Sequence, residues 1–274
     1  MLITNEQLRQ FDEEGYLFFP EVFSAEEMAF LRAEAARVLA EPRPEIRMEK
    51  SGVPRTAFAV HRYNDGFATL ARDPRLVRPL EQIFGEPVYM HQFKINAMTA
   101  FTGETWMWHQ DFPSWQRFDG MPEPRAMNIA LFLDEVRPVN GALMLIPRSH
   151  KHGALPDAYD DMTTSHPGWY LTPETVSDMV DEGGIVAPTG KPGSLLMFHA
   201  NLAHGSPPNM TPYPRRIVYL TLSAVSNHLR GTQTRPEFIA HTDFTPVSAG
   251  EPGALSDQAR RAARSSAPLE ELRA

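Results

Sequence analysis

Trp106-Met107-Trp108-His109-Gln110-Asp111-Phe112 is the stretch on which the reading of this chain turns. As an extended strand it sends His109 and Asp111 to one side and Gln110 to the other, because side chains alternate along a strand. An imidazole and a carboxylate leaving the same face are two members of a 2-His-1-carboxylate set. That set holds non-haem Fe(II) and leaves coordination positions open. Trp106, Trp108 and Phe112 would give such an ion dry, stiff walls. An isolated H-x-D is common, so the case depends on what lies further along the chain.

A third ligand has to be another histidine. His204, in Leu202-Ala203-His204-Gly205-Ser206, is the strongest candidate. It follows an apolar strand, Ser194 to Phe198, and precedes Gly205-Ser206, which permits a tight turn. His199 is the rival. Arg215 comes eleven positions after His204, past Pro212-Tyr213-Pro214, at the start of the next strand. This order suits one chemistry. Three protein ligands leave three positions on iron; a 2-oxo acid takes two through its keto oxygen and C1 carboxylate, and O2 takes the last. The far carboxylate of the 2-oxo acid then needs a planar, permanently charged donor, which an arginine supplies as a bidentate fork. Zinc held by the same three residues with a water is the competing metal, but no positioned glutamate base stands nearby.

The 274 residues allow one large domain or two small ones, and 42% of them are hydrophobic, enough for a substantial core. The net charge of −8 gives no basic face for nucleic acid. No apolar run approaches the roughly 20 residues a membrane span needs, and Met1 to Glu6 lacks the pattern of a signal peptide. A cytoplasmic protein is the expectation. With no cysteine, disulfides and thiolate metal sites are excluded.

Away from the centre, Thr4 with Gln7 and Ser24 with Glu27 are capping-box pairs that start two helices. The first ends near Gly15 and the second at Pro42 and Pro44. Arg75 to Phe84 is a third helix with Gly85 past its end. Thr56 to Val60, Val88 to Asn96, Met127 to Leu133, Ala142 to Ile146, Ser194 to Phe198 and Ile217 to Ala224 read as strands. Short strands with turn signals, together with 25 prolines, predict α+β with a mainly β core, a sandwich or barrel preceded by helices. The stretch 153–193 is an insertion with lid-like character and one helix from Thr172-Pro173 to Gly183-Gly184. Residues 250–274 read as a surface helix or frayed tail. One domain spans 1–274.

The run His91-Gln92-Phe93-Lys94-Ile95-Asn96, Trp108-His109-Gln110-Asp111-Phe112, Trp115, Asp119-Gly120-Met121, Asn140-Gly141, Ser149-His150, His204-Gly205-Ser206, Asn209, Pro212, Arg215 and Arg235-Pro236-Glu237-Phe238 resembles the phytanoyl-CoA hydroxylase family of Fe(II)/2-oxoglutarate oxygenases. Within that family it is similar to bacterial hydroxylases of free small amino acids, acting on proline, leucine or ectoine. The resemblance implies a double-stranded β-helix (jelly-roll, cupin-like) core, with Fe(II) at His109, Asp111 and His204. It implies 2-oxoglutarate contacts from Lys94, Asn96, Ser206 and Arg215, with O2 as the other co-substrate. It places Gln92 and Trp115 near a small zwitterionic substrate; Trp106 and Tyr219 are further candidate walls. An inward strand lysine such as Lys94 is costly unless it meets an anion; the alternative is a surface residue with its amine in water. The ectoine enzymes carry Ser-Arg where this chain has Phe93-Lys94, and Ser at Gln110, which favours proline. Met121-Pro122, Thr211 to Arg215 and Ala224 to Asn227 look like the ectoine enzyme. Hydroxylation of a free amino or imino acid, proline first and ectoine second, is the expected activity, with a homodimer as the assembly to test. A halogenase would need chloride where Asp111 stands. His91 reads as a core or supporting group, His150 as a turn residue, and His61, His166, His228 and His241 as surface or loop positions.

Overall fold

The computed structural model describes residues 1–266. Two helices open the chain, each with a reciprocal cap. Thr4 accepts from the backbone of Gln7, whose side chain answers the Thr4 N–H, and α1 (Asn5–Glu14) runs from there to a left-handed Gly15. β1 (Tyr16–Phe19) follows, then α2 (Ala25–Ala40), started the same way by Ser24 and Glu27. Next come β2 (Ile46–Met48), β3 (Pro54–Phe58), the short α3 (Asp65–Ala71) and α4 (Pro74–Phe84), which is capped by Asp73 and ended by Gly85. The central stretch supplies β4 (Val88–Met98), β5 (Trp106–His109), α5 (Asp111–Asp119), β6 (Ala126–Phe132) and β7 (Met144–Leu145). The insertion carries β8 (Asp157–Asp160), β9 (Gly168–Leu171) and α6 (Pro173–Gly183). β10 (Leu195–His199), β11 (His204–Ser206), β12 (Arg215–Ala224) and α7 (Ala254–Ser266) complete it.

Seven strands form one sheet in the order β1-β10-β6-β12-β4-β3-β2, and β5-β11-β7 form a small second sheet. The pairings among these strands are antiparallel. Period-two alternation divides the large sheet's residues between two cores. Met127, Ile129 and Leu131 of β6, with Val218, Leu220 and Leu222 of β12, pack against apolar side chains of α1 to α4. Ala130 and Phe132, with Ile217 and Tyr219, turn the other way and meet Leu143, Leu145 and Leu202 from the side of the small sheet. β6 is therefore buried on both faces. A bulge in β4 fixes which residues enter the sandwich: Thr221 pairs with Gln92 but Leu222 pairs with Met90, so His91 is the extra residue. Met90, Phe93 and Ile95 face the helices; Gln92, Lys94 and Asn96 share the opposite face.

Several expectations change. Asp111 is not in a strand: β5 stops at His109, Gln110 stays extended, and Asp111 is the first residue of α5. The Ala142–Ile146 strand shrinks to Met144–Leu145. α3, α5, β2 and the β8–β9 hairpin are additions, all too short or too irregular to give a clear period. The expected tail is a docked helix, since Leu255 and Ala259 of α7 are buried, Leu255 in the helix-side core; positions 267–274 of that tail lie outside the described residues. His241 is buried and His61 half-buried, against the surface reading, because their rings stack on each other at 5.1 Å and His61 also meets Phe93.

Candidate active site

β5 and β11 are paired so that His109 and His204 are direct cross-strand partners. Their ring centroids lie 4.2 Å apart. Asp111, at the start of α5, closes the triangle: its two oxygens lie 3.7 Å from Nε2 of His109 and 3.6 Å from Nε2 of His204. All three candidate ligand atoms fall within 4.8 Å of one another, spacing that a single metal ion bridges.

The orientation of each donor is set by its own backbone. Nδ1 of His109 is 2.7 Å from the Met107 carbonyl and Nδ1 of His204 is 2.8 Å from the Leu202 carbonyl. A carbonyl only accepts, so both rings carry their proton on Nδ1 and present an Nε2 lone pair to the centre. Burial depresses the basicity of both rings, His204 to about 4. Burial acts to raise the Asp111 carboxyl. The fields of His204, Lys94 and His109 and a 2.6 Å hydrogen bond from Asn128 outweigh it and hold that carboxyl at about 2. Neutral imidazoles and an ionised carboxylate are the protonation states that metal binding requires. Gln110 serves a different purpose. Buried on the other side, it donates to the carbonyls of Gly153 and Asn201 and accepts from Leu155 N, tying the strand end to the insertion.

The triad opens into a cavity of about 360 Å³, counting its solvent-facing mouth. Lys94, Asn96, Trp106, Leu143, Ser206, Arg215 and Tyr219 line the rest of it. Arg215 is 1% exposed, and no ion pair reaches it among the described residues. Nη2 donates to Ser206 Oγ at 3.1 Å and touches Met98 Sδ, while Nε has no partner. Burial lowers the Arg215 pKa, partly offset by Tyr219. Lys94 is half-buried, donates to Gln92 Oε1 at 3.2 Å, and has no carboxylate within ion-pair distance among the described residues. Its pKa is lowered by burial against the pull of Asp111.

Of the residues singled out from the sequence, the fold brings nine to this cavity: His109, Asp111, His204, Lys94, Asn96, Ser206, Arg215, Trp106 and Tyr219. Gln92 reaches it only through Lys94. Trp115 does not line it. Its ring is 1% exposed, edge-on to His91 at 5.1 Å and packed among Phe112, Met121 and Leu229. His199 points to Asn201 N and His150 instead of the metal position. Asn128 and Leu143 were not expected. The signal for Asn128 was its place in the apolar run of β6 at an inward position, where a buried amide needs a partner.

Two facing antiparallel sheets, a His-x-Asp…His cluster and a buried arginine without an anion define a non-haem iron, 2-oxoglutarate-dependent oxygenase. The chain belongs to the phytanoyl-CoA dioxygenase family, whose model matches residues 11–217. It is 37% identical over 269 residues to an ectoine dioxygenase of Sphingopyxis alaskensis, covering 92% of this chain and 85% of that one. It is 35% identical to an ectoine dioxygenase of Nocardia farcinica, covering 89% and 87%. The crystal structure of EctD from S. alaskensis with 2-oxoglutarate and 5-hydroxyectoine superimposes with a TM-score of 0.82 at 36% identity, over 92% of this chain and 89% of that chain. The same protein with bound Fe gives 0.81. The epimerase SnoN shares the fold at 19% identity, with a TM-score of 0.64.

Proposed function

We propose that this protein hydroxylates ectoine, or a closely similar cyclic zwitterion, with Fe(II) at His109, Asp111 and His204, 2-oxoglutarate as co-substrate and O2 as oxidant. The carrying observation is the arginine buried at the triad without an acidic partner. An uncompensated charge at that depth costs several kcal/mol, and a co-substrate carboxylate removes the cost. Iron, when bound, couples decarboxylation of 2-oxoglutarate to succinate and CO2 with insertion of one oxygen atom into a substrate C–H bond.

The chain's own residues bind and orient. Arg215 and Ser206 hold the distal carboxylate, and Tyr219 and Leu143 wall it. Asn96 is held by Thr56, whose Oγ1 donates to its Oδ1 at 3.0 Å, and its amide faces the co-substrate. Lys94, with Gln92 beside it, offers a second positive charge to an incoming carboxylate. Trp106 bounds the substrate side. The sheet order supports a double-stranded β-helix reading, with the metal at the narrow opening between the sheets.

Ectoine is placed ahead of proline because the two relatives named above act on it and both span most of this chain. Proline stays the competitor on account of Phe93-Lys94. The deciding assay incubates Fe(II)-loaded protein with 2-oxoglutarate, O2 and either ectoine or proline, and follows succinate and a product 16 mass units heavier. Ectoine should give both. A heavier product from proline alone would overturn the substrate assignment; succinate with neither, across an amino-acid panel, would overturn the class of substrate.

A further inference from the structure

The tip of the β8–β9 hairpin, residues 160–167, lies against the cavity wall and is held there in an unusual way. It is internally stiff: Asp160 accepts from Met162 N and Thr163 N, Thr163 Oγ1 caps the same carboxylate, and Tyr170 OH donates to the His166 carbonyl. Its grip on the rest of the molecule is almost free of apolar burial. Asp161, Met162 and Thr163 are exposed, Met162 at 79%. The hydrogen bonds that tie it to the body converge on two residues. Glu104 accepts from Ser165 N at 2.7 Å and from Ser165 Oγ at 2.6 Å. Lys50 N donates to Ser165 Oγ at 2.6 Å, and Lys50 Nζ to the Met162 carbonyl at 2.8 Å.

Glu104 is also wired to the cavity. Its second partner is Arg55, 3.2 Å from Oε2. Arg55 is 2% exposed, donates to the Thr105 carbonyl, and lays its guanidinium 4.0 Å from the ring centre of Trp106. The same Trp106 ring meets His166 of the hairpin tip at 5.5 Å. One carboxylate therefore touches both the hairpin tip, whose His166 packs on Trp106 of the cavity lining, and the arginine that lies over the same ring. Glu49 cannot take its place. It lies 3.6 Å from Arg55 but is buried, accepts from Glu104 N and has no hydrogen bond to the tip.

We propose that Glu104 is a positioning residue for the substrate pocket: it latches residues 160–167 shut over the cavity and, through Arg55, sets the plane of Trp106. The consequence for substrate rests on the oxygenase reading above; the latch itself does not. A hairpin tip tied down by charge-assisted hydrogen bonds and little apolar area opens at low free-energy cost, as entry of a substrate demands.

The test uses Glu104→Gln and Ser165→Ala, which attack one contact from its two sides. In the metal-free, ligand-free full chain, hydrogen exchange read by mass spectrometry should be roughly tenfold faster at 160–167 in both variants, as loss of a hydrogen bond to a charged group implies. β6, β10 and β12 should stay unchanged. Tryptophan emission should shift in Glu104→Gln, whereas adding Glu104→Gln to a Trp106→Phe background should cause no further shift. With the iron-loaded enzyme, KM for substrate should rise about tenfold while kcat changes less than twofold. Unchanged exchange at 160–167 in both variants overturns the latch, and so does an increase spread through the whole sheet, which would mark general destabilisation. Faster tip exchange with unaltered KM overturns the role in the pocket. Inactivity of the wild type on ectoine would count against the oxygenase substrate alone, because the exchange result stands without it.

Discussion

Asn128 shows how much of the metal position is decided by a side chain that does not touch the metal. Its Nδ2 donates to Asp111 Oδ2 at 2.6 Å while its Oδ1 accepts from Thr221 Oγ1 at 2.6 Å, so the carboxylate is steered by a two-link chain across β6 and β12. Asn128→Ala should weaken Fe(II) binding by roughly 10–100-fold, the usual cost of removing an outer-shell partner; an anaerobic Fe(II) titration measures it. Arg215→Lys keeps the charge but removes the fork and the Ser206 contact. KM for 2-oxoglutarate should rise at least about tenfold, the equivalent of one charge-assisted hydrogen bond, with succinate formation as the readout. That His109, Asp111, His204 and Arg215 would meet in one cavity was legible from their types and order: two histidines, an acid and an arginine in the order one reaction needs. Trp115 is placed near the substrate only by the family resemblance; its ring lies 1% exposed and edge-on to His91. Asn128 was missed because one amide in an apolar run has no period.

Elements, more than residues, fix the geometry. The pairing of β5 with β11 sets His109 opposite His204, and the change from β5 to α5 after Gln110 swings Asp111 beneath both. The long, strongly patterned elements were readable: both capping boxes, α4, β4, β6 and β12 stand within a few residues of their expected limits. The short ones were less so: three or four residues in β2 and β8 show no period, and β7 keeps two residues of the longer strand expected there. Two changes test how firmly elements are held. Ser24→Ala removes the α2 cap and should cost about 1 kcal/mol in urea unfolding. Gly120 ends α5 at φ 72°, and a Cβ there would lie 1.9 Å from the Arg230 carbonyl oxygen. Gly120→Ala should cost roughly 2–4 kcal/mol by combining strain with a backbone clash. A loss below about 1 kcal/mol would mean that the loop after β12 can move aside.

For the molecule as a whole, several histidines are kept neutral by burial, and this gives stability a pH dependence. Burial lowers His61 to about 3 and His199 to about 4, against about 6.5 in an unfolded chain. Between those values the unfolded state binds more protons, so stability rises with pH. The contribution is complete above about pH 6.5 and is lost as pH falls toward 4, on the order of 1–2 kcal/mol per histidine by pH 5. The urea midpoint of metal-free protein should accordingly fall between pH 7.5 and pH 5; an unchanged midpoint would contradict the burial. The strand order has a consequence for how the chain is made. β12 lies between β4 and β6 in the large sheet, and β1 at its edge pairs Tyr16 with Phe198. Within this sheet β1 is made before the other six strands yet must wait for β10, and β12, at the middle, is the last of the seven to be made. Closure of the sheet then waits until β12 has been made, and is slow by its long-range contacts. A nascent chain halted before residue 215 would have no sheet centre and no arginine in the cavity, and should be cut by protease wherever the longer chain resists it.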